Sequence, residues 1–255
     1  MNNILPIFYT HGSRKSLFTF WTGRDVTPEG PSSVIDIALK NGLKEVYCVS
    51  NSFYEFIEGW KACKENKISF RFGLEMIMVD DAKIHDESSR KSEHKIIIFV
   101  KNSEGYKDLI KIYSACRTNP DNKYYIYRFD YKQLNPLWTD NLILVYPYFD
   151  SAICQNSMIY GANIIPQPPV KPILFREINS QIPYDSIVND SLNTFNQNNE
   201  YEVIDTKTIY YEKYADFEAY MTYRAILNKG TFGNPEIDWF CSNTFCFEDL
   251  KELTK

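Results

Sequence analysis

The sequence predicts a mixed α/β chain built on a mainly parallel sheet, closed as a barrel or doubly wound. Three observations predict it. Apolar strand-like runs alternate with amphipathic helical runs across residues 1–200, the pattern of successive βαβ units. Some strand runs are almost wholly apolar, as expected of strands covered on both faces. Glycine is scarce, 10 residues against a hydrophobic fraction of 44%, so the chain has enough apolar content for a core and is not loop-dominated.

The elements follow in order. Residues 4–9 form a short apolar strand. Ser32 and Ser33 offer an N-cap to a helix with Val34, Ile35, Ala38 and Leu39 on its apolar face, and Gly42 supplies the stop. Residues 45–49 are the next strand, and a helix over 53–66 sets Phe53, Phe56, Ile57, Trp60 and Cys63 on one side. A long strand over 68–79 is followed by a charged, exposed loop over 80–93. Residues 95–100 are a nearly continuous apolar strand of the kind buried in a parallel sheet. A helix over 104–116 turns Tyr106, Leu109, Ile110 and Tyr113 inward. Tyr124-Tyr125-Ile126-Tyr127 has the rings to stack on bases, but reads first as an aromatic strand in a core. Further strands fall at 141–146 and 173–177, separated by a proline-rich connector at 166–172. Helices follow at 184–195, 214–228 and 249–255, and the polar run 193–200 reads as a linker or long loop.

Charge and cysteines narrow the function classes. The net charge is −5 and no Lys/Arg-rich run stands out, so the electrostatic footprint of tight, direct nucleic-acid binding is missing. The N-terminal residues lack a basic segment followed by a long apolar one, and no run has the roughly 18 apolar residues of a membrane span. A cytoplasmic location without a membrane partner is expected. The six cysteines (Cys48, Cys63, Cys116, Cys154, Cys241 and Cys246) form no CxxC pair and are expected to be reduced, buried thiols. GxGxxG, P-loop, GxSxG and HExxH motifs are absent. His85 lies in the charged loop and is expected to be solvated.

Two neighbouring blocks are more specific. The first, residues 58–75, joins Trp60-Lys61-Ala62-Cys63 on a helix to a strand carrying Gly73-Leu74-Glu75. The second, residues 94–114, opens with His94 and runs through Val100-Lys101-Asn102 to Gly105-Tyr106 and Leu109. Together they resemble the PHP (polymerase and histidinol phosphatase) domain of C-family bacterial DNA polymerase III alpha subunits. Weaker similarity covers most of the chain in the same order, from Tyr9-Thr10-His11 through residues 33–43, 142–148 and 173–195 to 210–227. The resemblance implies a distorted (βα)7, TIM-like barrel with its ligands at the carboxyl ends of the strands. It also implies residues 1–200 as barrel core, and 201–255 as barrel completion plus a helical extension toward an absent polymerase palm.

The family's chemistry rests on clustered divalent metals held by many histidines, which lower the pKa of a bound water and clamp phosphate oxygens. This chain has three histidines. Of the ligand positions that the resemblance implies, His11, Glu75 and His94 are kept. Ser13 replaces a second histidine, Thr22 or a shifted Asp25 falls where an aspartate is expected, and Val49-Ser50, or Ser50-Asn51 with a one-residue slip, stands for an Asp-His pair. Tyr148 lies near a Cys/His position, while Glu177 and Asn179 replace Asp-x-His. The expectation is a pseudoenzyme with no catalytic residue, no cofactor and only vestigial ligand positions. An active site would instead hold Zn, Mn or Mg, with His11, Glu75 and His94 as a two-His, one-carboxylate set. The expected role is a structural or docking module in DNA replication. Its partners would be a polymerase catalytic core, replication proteins or a proofreading exonuclease. The alternatives are a metal-dependent phosphoesterase or 3'-5' exonuclease with a rebuilt site, and a free-standing interaction protein on the same fold.

Overall fold

A computed structural model describes residues 4–22, 30–197, 200–228 and 242–255. In chain order the strands are β1 (Leu5–Tyr9), β2 (Glu45–Ser50), β3 (Ser69–Val79), β4 (His94–Val100), β5 (Lys123–Tyr124), β6 (Ile126–Tyr127), β7 (Phe129–Asp130), β8 (Leu142–Tyr146), β9 (Ile173–Glu177) and β10 (Val203–Ile209). The helices are α1 (Val34–Asn41), α2 (Phe56–Glu65), α3 (Ser103–Thr118), α4 (Tyr131–Leu134), α5 (Ala152–Met158), α6 (Asp185–Gln197), α7 (Phe217–Asn228) and α8 (Phe247–Leu253). Pairing runs β2-β1-β10-β9-β8-β4-β3, and β3 also pairs with β2, so seven strands close into the connectivity of an α/β barrel; β7 adds to β3.

The chain forms two compact units. The first is Met1–Phe72, Glu177–Pro183 and Asp205–Lys255, and the second is Gly73–Arg176 and Tyr184–Ile204. Strands β3, β9 and β10 each pass from one unit into the other.

In the first unit β1 lies parallel to both β2 and β10. One sheet face, carrying Phe8, Val46, Cys48 and Ile209, packs with Val34, Ile35, Ile37 and Ala38 of α1, Cys63 of α2, and Phe247 and Leu250 of α8. Each large apolar side chain buried in this way contributes about 1.5–3 kcal/mol. Ser33 caps α1 by accepting from the Ile35 and Asp36 amides, and Gly42 ends it at φ 69°. Two predicted helix faces hold only in part. In α1 Ile37 is buried and Leu39 exposed; in α2 Gly59 and Cys63 are buried, whereas Ile57 and Trp60 face solvent. Phe20 and Phe70 crowd onto Gly59 and leave no room for larger side chains on that face.

The second unit departs from strict strand–helix alternation. Strand β4 is antiparallel to both β3 and β8, where the sequence predicts a parallel neighbour. The apolar run reports burial on both faces, and Ile96, Ile97, Ile98 and Phe99 are all buried; it does not report direction. Residues 80–93 hold only a short 3-10 turn, and with no amphipathic helix to cover the sheet, the chain returns antiparallel. In α3 the buried side chains are Asp108, Leu109, Ile112 and Cys116, while Ile110 is exposed and Tyr106 and Tyr113 are half-buried. The glycines of the two motif blocks are packing positions. A Cβ on Gly73 would meet the Phe99 ring at 2.7 Å, and one on Gly105 would collide with the Asn141 carbonyl oxygen. The expected linker at 193–200 is helical through Gln197. The expected aromatic core strand is an exposed hairpin, with Tyr125 at 77% exposure.

Candidate functional site

In the first unit, the carboxyl ends of the parallel strands gather polar residues. His11 follows β1 in a short 3-10 turn and is exposed, its ring 5.6 Å from that of Tyr223 on α7. The Tyr223 hydroxyl lies 3.3 Å from His11 Nδ1. Beside it the Gly12 amide donates to Glu55 Oε2 at 2.8 Å. Ser13 is buried and its hydroxyl donates to the Thr10 carbonyl, while Asn51 after β2 reaches the Ser13 carbonyl at 3.5 Å. Thr22 is exposed, and Gly23 and Asp25 lie outside the described residues.

A second polar group sits at the ends of β9 and β10. Lys207 is fully buried, and its ammonium donates to Asp249 Oδ2 at 2.8 Å, to the Asn179 carbonyl at 2.9 Å and to the Ile178 carbonyl at 3.1 Å. These three acceptors use all three of its donors. Asp249 also accepts from Asn179 Nδ2 at 2.9 Å and from the Tyr214 hydroxyl at 2.9 Å. Burial, followed by these hydrogen bonds to Asp249 and Glu252, raises the pKa of the Tyr214 phenol. Glu177 is buried, and its two oxygens accept from the Thr208 amide at 2.9 and 3.1 Å and from the Thr208 hydroxyl at 2.7 Å.

Glu75 and His94 lie in the second unit, on neighbouring strands. The β3–β4 register is continuous, pairing Glu75 with Ile97 and Met78 with His94. Side chains alternate along a strand, so Glu75, three residues from Met78, points to the face opposite His94. His94 is 2% exposed, and both ring nitrogens are engaged: Nδ1 is 2.8 Å from the Ser92 carbonyl, and Nε2 is 3.0 Å from the Tyr131 hydroxyl. The carbonyl accepts only, which assigns the proton to Nδ1 and leaves Nε2 to accept from Tyr131. Burial lowers the His94 pKa to about 4, keeping the imidazole neutral. Tyr148 is buried, its hydroxyl donating to Asp185 Oδ1 at 2.7 Å.

These residues do not fit the divalent-metal cluster that the resemblance implies. Glu75 and His94 oppose one another across the sheet, the His94 Nε2 lone pair is taken by a phenol, and both oxygens of the Glu177 carboxylate are engaged by Thr208. A lysine ammonium binds the carbonyls at the end of β9. Among the described residues, no three His, Cys, Asp or Glu side chains are grouped to hold a metal ion. Cys48, Cys63, Cys116, Cys154 and Cys246 are free and buried; burial raises the Cys63 pKa to about 12, and Cys241 lies outside the described residues. His85 is exposed but stacked on Tyr124. No helix among the described residues is long and apolar enough to cross a membrane.

Lys207, Asp249, Glu55 and Tyr223 were not foreseen from the sequence. The signal for β10 was its β-branched run of Ile204, Thr206, Thr208 and Ile209, interrupted by Asp205 and Lys207, which disguise a strand when the lysine is buried with a partner. A groove of 480 Å³ in the second unit lies between α5 and α6, floored by Ile153, Ile164 and Phe195 and rimmed by Asn156, Asp190 and Thr194.

The family model described as PHP domain matches residues 29–201, well over half of the chain. Glu75 and His94 fall inside that match, while His11, Lys207 and Asp249 fall outside it. No curated protein matches the chain.

Proposed function

The chain belongs to the PHP domain family, and we propose that it is a catalytically silent member serving as a structural and docking module of a bacterial-type polymerase III alpha replicase. The observation that carries the silence is the β3–β4 register, which puts Glu75 and His94 on opposite faces. The closed shell of acceptors around Lys207 adds to it, because the ammonium already supplies positive charge at the end of β9. The polymerase assignment rests on the two motif blocks. Gly73 and Gly105, which those blocks contain, are held by packing rather than by chemistry.

Elemental analysis of the purified chain, paired with a nuclease assay in manganese, tests the silence. The expected result is substoichiometric metal and no hydrolysis. Stoichiometric, tightly held metal together with hydrolysis that disappears in His94→Ala would overturn it. Docking is tested by co-purification with a polymerase catalytic core lacking its own PHP domain. A stoichiometric complex is expected, and its absence would favour an interaction protein with another partner. One observation favours the rebuilt phosphoesterase as a second reading: His11 stands exposed at the carboxyl end of β1 with a phenol 3.3 Å away, the face that barrel enzymes use.

A further inference from the structure

The hairpin of β5 and β6 displays rings and cations that no core claims. Lys123 pairs with Tyr127 and Tyr124 with Ile126, so Tyr125 alone forms the tip, at φ 58°. A left-handed conformation is disfavoured at a bulky aromatic residue. Tyr125 is 77% exposed and Ile126 is also exposed.

The base of the hairpin is fixed. Tyr124 stacks with His85 at 5.4 Å and an interplanar angle of 11°, and the buried Arg128 guanidinium lies 4.9 Å from the same ring. Arg128 is itself held by the Ile84 carbonyl at 2.8 Å and the Ser89 hydroxyl at 3.0 Å. Cations interleave with the outer rings. Arg117 lies 4.5 Å from the Tyr127 ring centre, Lys123 5.7 Å from it, and Arg90 6.0 Å from the Tyr125 ring centre. Lys91 is exposed beside Arg90. Three acids lie nearby: Asp86, which accepts from Ser88 and Ser89, Glu87, which pairs with Arg90 at 3.3 Å, and Asp121 at the hairpin base. They offset most of the charge of Arg90, Lys91, Arg117 and Lys123.

We propose that the 123–127 hairpin, with Arg90 and Arg117, is a stacking surface for single-stranded nucleic acid. Exposed π faces select unpaired bases, because duplex bases are already stacked, and the interleaved cations receive the phosphates. With the local cations largely offset by Asp86, Glu87 and Asp121 and a net charge of −5 on the chain, binding is modest, carried chiefly by stacking and weakened by salt. The inference is independent of whether the metal site is silent.

Fluorescence anisotropy of a labelled short oligothymidylate, titrated with the 255-residue chain at low salt, tests it. Saturable binding that weakens with salt is expected, with a duplex of equal length bound more weakly. Tyr125→Asn removes the ring while suiting positive φ, and is expected to weaken binding about fivefold or more without lowering the thermal midpoint. Tyr54→Ala, at another exposed tyrosine, is the control and should leave binding unchanged. Absence of saturable binding, equal affinity for the duplex, or an equal loss in Tyr54→Ala overturns the proposal; the first result would assign the hairpin to a protein partner.

Discussion

The ends of β9 and β10 and the β5–β6 hairpin use similar side chains in opposite ways. At the strand ends, Lys207, Asp249, Asn179 and Tyr214 are turned onto one another, so that ammonium, carboxylate and phenol are consumed internally. At the hairpin, Arg117 and Lys123 lie against the Tyr127 ring, and Lys123 and Tyr125 meet solvent. The difference teaches where recognition can reside. A polar group that has spent its hydrogen bonds inside the fold stabilises it, whereas a ring and cation left at the surface can still exchange water for a ligand.

The largest expected effect tests the internal arrangement. Lys207→Met leaves the Asp249 carboxylate buried without its countercharge and should destabilise the protein by about 3–5 kcal/mol, read by urea denaturation. Lys207→Met with Asp249→Asn keeps an acceptor for Asn179 and Tyr214 and should recover much of that loss. If the single change costs under about 1 kcal/mol, the strand ends are not the closed network described.

Next in size is the pH dependence set by His94. Its folded pKa of about 4 lies below its ordinary value of 6.5, so the unfolded chain binds the proton more readily. The contribution is therefore complete above about pH 6.5 and is lost as pH falls toward 4, about 3 kcal/mol in all. In His94→Gln this part of the acid loss should vanish, leaving a flatter stability curve between those pH values. An unchanged curve would mean that the imidazole is hydrated rather than sealed against Tyr131.

The smallest effect probes the exposed region. Tyr125→Gly removes a left-handed aromatic and should leave stability within about 1 kcal/mol of the parent, because relief at positive φ offsets glycine's entropy. A larger loss would make the tip a packing element and erase its contrast with the strand ends.

Much of the fold was legible. The boundaries of β1, β2, β3, β4, β8 and β9 follow from apolar runs, and those of α1 from Ser33 and Gly42, because these signals act within a few residues. The direction of β4 was not legible, since an apolar run is the same read either way. On α1, α2 and α3 the expected Val34, Ile35, Ala38, Cys63 and Leu109 are buried, but Leu39, Ile57, Trp60 and Ile110 are exposed, because several apolar side chains compete and neighbours such as Phe20 and Phe70 decide which enters. The candidate site was legible only as residue types: His11, Glu75 and His94 were named from the resemblance, while Lys207, Asp249 and Tyr223 came from segments where a charge or a lone ring looks like surface.

By itself the sequence determined the α/β class, the order of most elements and membership of the PHP domain family. The tertiary structure alone decided that Glu75 and His94 face apart, that Lys207 is sealed against Asp249 and that the tyrosine run stands in solvent. The physical reason is range. Helix caps and apolar periods act through neighbours along the chain, but register, partner and burial depend on segments far apart in sequence, and a one-residue change of register reverses what each side chain meets.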